Sequence, residues 1–494
     1  MSLISKPRVA ILGDLFRSYE EEGFVRWTQR PNVAWLAAIV RAALPDIEVT
    51  AITPESLGFD PAGIMAEEEL PATPDGWLTS FDRHPTGAVA TAMKALRGQF
   101  VVGFELPPGL RSALQDAGAD VINLAIHPVR CLDDLLFSLQ ADERIERHFA
   151  SHAIRMQEMG WKLGRMRARL ARERAYAPAT SGRAAVLFGQ MRIDRSLMAG
   201  GRLVSLLDFA DRIREIAARH DCLYVRAHPL EAPRSDVLEM LAAIPGVLMT
   251  DRNVYELLDA PDVVSVCAIS SSVLYEAGLF NKPAEAFIPH PDFGLPPIPR
   301  GLALDLDGFA RGLSALVGTP PQRFEQAPGA LREVVGQNWG LTPAATGPLH
   351  RRPPVLPNRE VCLADAEMKD ARLCGWRVHA DWGLWSVGAH AVLEFRWPES
   401  ITDPIPVACR LMAGPSHPSR RPTLTIVAGG EVVHKSDAIG FNDPVTITFE
   451  VRPPARGDRF QVHIFSSDPQ APQEIGLNDD SMPLGAACFS LHRC

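Results

Sequence analysis

Apolar positions along the chain follow two different patterns, and the change comes about three quarters of the way through. From residue 7 to about 140, short apolar runs alternate with stretches of helical period. RVAILGD (8–14) precedes the amphipathic NVAWLAAIVRAAL (32–44). IEVTAITP (47–54), QFVVGFELPP (99–108), the helical GLRSALQDAG (109–118) and DVINLAIHP (120–128) follow. Such alternation predicts a mostly parallel sheet with helices on both faces. A long helical segment is expected over about 141–176. The alternation restarts near 182 with AAVLFGQ, a helix near 201–219, CLYVRAHP, a helix near 233–243, GVLMTD, DVVSVCAISSS, a helix near 273–280 and AEAFIP.

After the proline-rich GPLHRRPPVLPNRE, which can continue neither helix nor sheet ladder, the period shortens. AVLEFRWP, PTLTIVAGGEVVHK, PVTITFEVRPP and RFQVHIFSS are short alternating strands with turn residues between them. They predict an all-β sandwich or jelly roll. The expected fold class is therefore α/β, with two Rossmann-like domains facing a cleft, followed by an all-β sandwich. The boundaries are 1–180 with the long basic helix, 181–348, a linker over 349–362, and 363–494.

Composition narrows the class. The chain has 494 residues, too many for one core. An apolar fraction of 46% and a charged fraction of 22% are those of an ordinary globular protein. The net charge of −9 argues against a general nucleic-acid binder. The first apolar run, ending at Asp14, is too short for a signal peptide, and no run reaches the ~18 uncharged residues of a membrane span. A cytoplasmic location is expected. The Lys- and Arg-rich KLGRMRARLARERAYAP (162–178) reads as a helix bridging two domains, or as a surface for peripheral contact with the inner membrane; the bridging helix is preferred. The eight cysteines (131, 222, 267, 362, 374, 409, 488, 494) show no CxxC pair and no zinc spacing, and buried free thiols are expected.

Ligands of open parallel sheets bind at the carboxyl ends of the strands. The polar residues placed there are Asp14, Glu105, His127 and Arg130 in the first half. In the second half they are Gln190, Asp194, Arg226, His228 with Pro229, Asp251 to Asn253, and Ser270, Ser271 and Ser272. Three serines after a buried strand and before a helix can bind phosphate through hydroxyls and backbone N–H groups, or simply cap the helix. His228, fixed by Pro229, adds a donor. No Walker loop, GxGxxG, GxSxG or HExxH is present. LDDLL (132–136) resembles a metal-binding Asp pair, but its helix-like context favours surface charge or capping.

GFELPP, IHPVRCLDDLLF, GQMRIDRS and SSSVLYEAGLF, with RAHP, together resemble the GT-B glycosyltransferases, and among them the retaining β-Kdo transferases of bacterial capsule and O-antigen synthesis. The resemblance covers about residues 7–320. It implies transfer of Kdo, or a related acidic sugar, from a CMP-activated donor to a glycan or glycolipid hydroxyl, with no metal and no further cofactor. His228, Pro229, Ser270, Ser271, Ser272, Arg226 and Asn253 would hold the nucleotide, and Gln190, His127 and Arg130 the sugar. Retention by two inversions needs a carboxylate nucleophile and an acid/base group. Asp194 is the choice for the first and Glu105 for the second. An N-cap or an ion pair with Arg192 or Arg195 is the plain alternative for Asp194, and a helix N-terminal charge for Glu105. The C-terminal part resembles a β-sandwich module of bacterial polysaccharide enzymes, in which Trp382 or Trp385 would stack on sugar or fill the core. A UDP- or GDP-sugar or glycerol-phosphate donor, or a non-catalytic polysaccharide-binding role, are the competing readings.

Overall fold

A computed structural model describes residues 8–21, 24–174, 182–228, 234–320, 330–339, 353–379, 383–416, 422–437, 439–454 and 458–494. The chain forms two compact units that it enters more than once. Met1–Ala168, Ile193–Val204 and Ser270–Ala345 make the first, and Arg169–Arg192, Ser205–Ile269 and Thr346–Cys494 the second.

The first unit is built on a six-stranded sheet. Strands Glu48–Ile52, Arg8–Gly13, Phe100–Phe104 and Asp120–Ile126 run parallel in that spatial order. Phe137–Gln140 then joins antiparallel, and Leu302–Leu304 joins antiparallel beside it. The buried runs Val9–Leu12 and, but for Asn123, Val121–Ile126 are hydrophobic on both faces, as covered parallel strands are. Helix Arg30–Ala43 buries Val33, Leu36, Ala37 and Val40, the i, i+3, i+4, i+7 stripe that the sequence shows. Leu302–Leu304 lies 120 residues beyond the point where the sequence pattern restarts, yet it pairs with the first sheet. Its helix Leu306–Val317 packs Phe309 against Phe137 and Phe149 at centroid distances of 5.2 and 6.2 Å.

The segment expected as one long helix is divided into Glu143–Glu146, a turn at Ala150–His152, and Met156–Arg174. The break is anchored by Ile154 N, which donates to Ala303 O at 2.8 Å. Lys162 of the last helix pairs with Glu158 at 3.4 Å. The segment 132–136 is irregular, not helical. Asp134 accepts from Arg332 N at 2.7 Å and from Leu331 N at 3.3 Å, and so caps helix Ala330–Trp339.

In the second unit, strands Val247–Thr250, Cys222–Arg226, Ala184–Phe188 and Val263–Ala268 run parallel in that order. The helix expected near 201–219 begins later, as a tight turn Leu206–Phe209 running into Ala210–Arg219. The C-terminal region forms two five-stranded antiparallel sheets. One has the order Arg372–Cys374, His390–Arg396, Arg459–Ser466, Leu424–Ala428, Glu431–Ser436. The other has Trp376–His379, Gly383–Val387, Leu484–Arg493, Ile405–Ala413, Val445–Val451. Leu393, Phe395, Phe460, Val462 and Ile464 of the first share one core with Val407, Cys409, Leu411, Cys488 and Leu491 of the second. All eight cysteines are free; Cys131, Cys267, Cys409 and Cys488 are buried and Cys494 is exposed. Among the described residues, no helix is long and apolar enough to cross a membrane.

The cap on helix Ala330–Trp339 gives a direct test. Asp134→Ala should lower stability by about 1 kcal/mol, while Asp134→Asn, which keeps an acceptor, should cost clearly less. Equal losses in chemical denaturation would show that the two backbone hydrogen bonds contribute nothing.

Candidate active site

In the first unit the strand ends converge on a buried ionic cluster. Strand Arg8–Gly13 runs into Asp14, whose Oδ1 accepts from Phe16 N at 3.0 Å and Oδ2 from Trp77 Nε1 at 2.7 Å. Its carbonyl accepts from Trp27 Nε1 at 2.8 Å. Burial pushes the Asp14 carboxyl above its ordinary range, against the pull of the Trp77 hydrogen bond. Arg17 lies over the Trp77 ring at 4.9 Å and faces Glu105 Oε2 at 3.6 Å.

Glu105 ends strand Phe100–Phe104 with φ of 49°, a left-handed conformation rare for a glutamate. Local packing imposes it. Leu106 folds back over Gly103, where a Cβ would meet the Leu106 side chain at 2.1 Å. Leu106 N is held by Asn123 Oδ1 at 2.9 Å, and Glu105 N by Leu124 O at 2.7 Å. Such a residue stores on the order of 1 kcal/mol of strain, a cost that clusters at functional sites. Burial raises the Glu105 carboxyl, opposed by Arg195 and Arg17. Its side chain keeps 17% of its surface exposed, so protons still reach it.

Asp194 caps the turn Arg195–Leu197 by accepting from Ser196 N at 2.9 Å. It is half-buried and lies within electrostatic reach of Glu105, Arg17 and His290. The ion pair with Arg195 weighed for it does not form. Arg195, 6% exposed, donates instead to Glu105 O at 2.6 Å and to Asp292 Oδ1 at 2.8 Å, with its guanidinium 5.2 Å from the Phe81 ring.

Asp292 N donates to His290 Nδ1 at 3.1 Å, and the His290 ring stacks on Phe293 at 4.4 Å. Burial pushes His290 down to about 4, with Asp292 and Asp194 pulling the other way. It is thus neutral at pH 7, with the proton on Nε2. Sequence reasoning missed His290 and Asp292. The signal was there: IPHPD (288–292) repeats the strand-then-His-Pro pattern of RAHP.

The remaining first-unit candidates divide. His127 is buried and accepts from Val129 N at Nδ1 at 3.2 Å. Burial pushes it down to about 4, so it is uncharged at pH 7 and does not supply the cation expected for a sugar carboxylate. Arg130 N donates to Glu276 Oε1 at 2.7 Å, and its Nε is buried with no hydrogen-bond partner among the described residues. Ser270 is buried and gives its hydroxyl proton to Ser196 O, so that proton is not available to a phosphate. Ser271 Oγ lies 3.5 Å from Val273 N, and Ser272 makes no side-chain cap to helix Val273–Leu279.

In the second unit, the in-register strands end together at Phe188, Arg226 and Thr250, which places Gln190, His228 and Asn253 along one rim. Gly189 N donates to Arg226 O at 2.9 Å. A Cβ at Gly189 would stand 3.4 Å from His228 N, so the two strand ends lie closely side by side. Arg226 braces the loops of this rim. Its Nε donates to Arg252 O at 3.0 Å and its Nη1 to Ala227 O at 2.9 Å, tying the loops after two strands together. Asn253 Oδ1 caps helix Val254–Asp259 through Tyr255 N at 2.9 Å. Pro229 lies outside the described residues, as does Trp382. Trp385 is buried with Met412, Leu484 and Ala487, the core-filling alternative of the two weighed for that ring. Among the described residues, no group of three or more His, Cys, Asp or Glu is arranged to hold a metal ion.

The Glu105 environment fixes a pH dependence. Because the folded state raises this carboxyl above its ordinary 4.5, the fold binds its proton more tightly than the unfolded chain does. The stability tied to that proton is full at low pH and is lost as pH rises from about 4.5 through the folded pKa. Glu105→Gln should therefore melt close to wild type at pH 4 and increasingly above it towards pH 8. A melting difference independent of pH would contradict the raised carboxyl.

No family model matches the chain, and no curated protein does. Among solved structures it is similar to the KpsC β-Kdo 2,7-transferase of Thermosulfurimonas dismutans, at 12% identity over 62% of this chain and 89% of that chain, with a TM-score of 0.32. It is similar to heptosyltransferase WaaC of E. coli with ADP, at 13% identity over 67% of this chain and 99% of that chain, TM-score 0.20. Part of it is similar to the tandem CBM51 modules of a family 98 glycoside hydrolase from Streptococcus pneumoniae, at 14% identity over 22% of this chain and 31% of those modules, TM-score 0.15.

Proposed function

We propose that the chain is a glycosyltransferase that moves Kdo or a related acidic sugar from a CMP-activated donor to a glycan or glycolipid hydroxyl, with retention. The observation that carries the reading is a two-carboxylate arrangement. Glu105, raised by burial on a strained strand end, lies within electrostatic reach of Asp194, and both belong to one cluster braced by Arg17 and Arg195. The motifs that resemble the β-Kdo transferases fall on these same residues.

In this reading the Asp194 carboxylate attacks the anomeric carbon. The bond from that carbon to the phosphate oxygen breaks, and CMP departs with the electron pair. The acceptor hydroxyl then displaces the aspartate from the opposite face and gives its proton to the Glu105 carboxylate. A raised carboxyl is the stronger base for that step, and it passes the proton to water afterwards. Arg130, with its unsatisfied Nε, is the cation assigned to the sugar carboxylate, in place of the neutral His127. His228 is assigned to the nucleotide and Gln190 to the sugar, while Arg226 and Asn253 brace the loops of that rim.

Thermal shifts with CMP, UDP and GDP test the donor. Stabilisation by CMP alone supports the reading; preference for UDP or GDP moves the donor to another sugar nucleotide; no response to any favours a non-catalytic role. Asp194→Asn should keep the CMP shift and lose transfer by at least a thousandfold, on the scale of a missing nucleophile. Near-normal turnover of that variant would remove Asp194 from the mechanism.

A further inference from the structure

In the C-terminal sheets, alternation along Arg459–Ser466 sends Phe460, Val462 and Ile464 into the shared core. Gln461 and His463 point to the other side of that sheet, yet they are only 3% and 5% exposed. What covers Gln461 is the edge of the parallel sheet in the same unit. Gln461 Oε1 accepts from Met249 N at 2.8 Å, and its Nε2 donates to Met249 O at 2.8 Å. Met249 belongs to Val247–Thr250, at the edge of its sheet, whose outward N–H and C=O groups have no strand to pair with among the described residues. The carboxamide makes the two bonds that a neighbouring strand would make. Its second N–H goes to Glu394 Oε1 at 3.1 Å, and Glu394 faces Arg459 at 3.7 Å, so the amide is fully used.

The strand held this way leads into the rim. Arg252, three residues after Met249, presents the carbonyl that accepts from Arg226 Nε, and Arg226 also grips Ala227 O next to His228. We propose that Gln461 is a positioning residue for the nucleotide rim. The antiparallel sheet serves as a surrogate strand that fixes Val247–Thr250, and through Arg252 and Arg226 it fixes the backbone that carries His228. The consequence for affinity rests on the rim being the nucleotide site; the mechanical coupling does not.

The full-length chain carrying Gln461→Met, nearly isosteric and unable to make either bond, is compared with Val462→Ala, which loses core packing one residue away on the opposite face. Hydrogen exchange is read over 222–228 and 247–254, and CMP binding by titration. Gln461→Met should exchange at least tenfold faster in both segments and weaken CMP fivefold or more, with kcat at saturating donor within twofold of wild type. Val462→Ala should lower Tm yet leave both segments and CMP affinity within twofold. Unchanged exchange over 222–228 in Gln461→Met, or equal changes in Val462→Ala, would overturn the proposal. If wild-type protein binds no nucleotide, the transferase reading falls and the exchange arm still decides the coupling.

Discussion

The candidate site of the first unit depends on burying one arginine. Arg195 can lie almost wholly out of water because three separate chain segments meet it: the carbonyl of Glu105, the carboxylate of Asp292 and the face of Phe81. A buried guanidinium without such partners would cost several kcal/mol. The same contacts hold the backbone of Glu105 at the strand end and bring the loop of His290 and Asp292 to it. Arg195 directly follows Asp194, so the residue that organises the acids also fixes where Asp194 stands.

The second unit uses backbone, not charge, for the same purpose. Arg226 spends its guanidinium on two loop carbonyls, Asn253 on a helix cap, and Gln461 on a strand edge. These are neutral or singly charged hydrogen bonds that set geometry without shifting protons. The first unit instead carries carboxyls whose protonation burial perturbs.

Much of this was legible in the sequence, because parallel strands and their polar ends announce themselves by period. Glu105 and Asp194 were singled out as strand-end candidates that way, as were the three serines and His228. The misses have physical causes. LAL at 302–304 is too short to signal a strand, and only tertiary pairing makes it the edge of the first sheet. Arg195 was read as a partner for its neighbour Asp194, but adjacent residues seldom face each other, and the distant Asp292 takes the bond. Alternation along RFQVHIFSS marks a strand but singles out neither Gln461 nor His463. That their face meets protein and not water is invisible to alternation, which reports orientation and not surroundings.

Two buried carboxyls in the cluster are pushed upward, and the hydrogen bonds decide which of them can trade protons. Both oxygens of Asp14 are engaged, one by a backbone N–H and one by the Trp77 indole, so protonating either breaks a buried bond. Asp14 is therefore a strut that positions Trp77 under Arg17. Glu105 feels the charges of Arg195 and Arg17, the latter at 3.6 Å and beyond ordinary hydrogen-bond length, and its side chain stays 17% exposed. Taking a proton costs it an electrostatic contact and no hydrogen bond. Burial makes a base strong, but only an uncommitted oxygen makes it usable, and of these two raised carboxyls it is Glu105 that has a carboxylate with no hydrogen bond among the described residues.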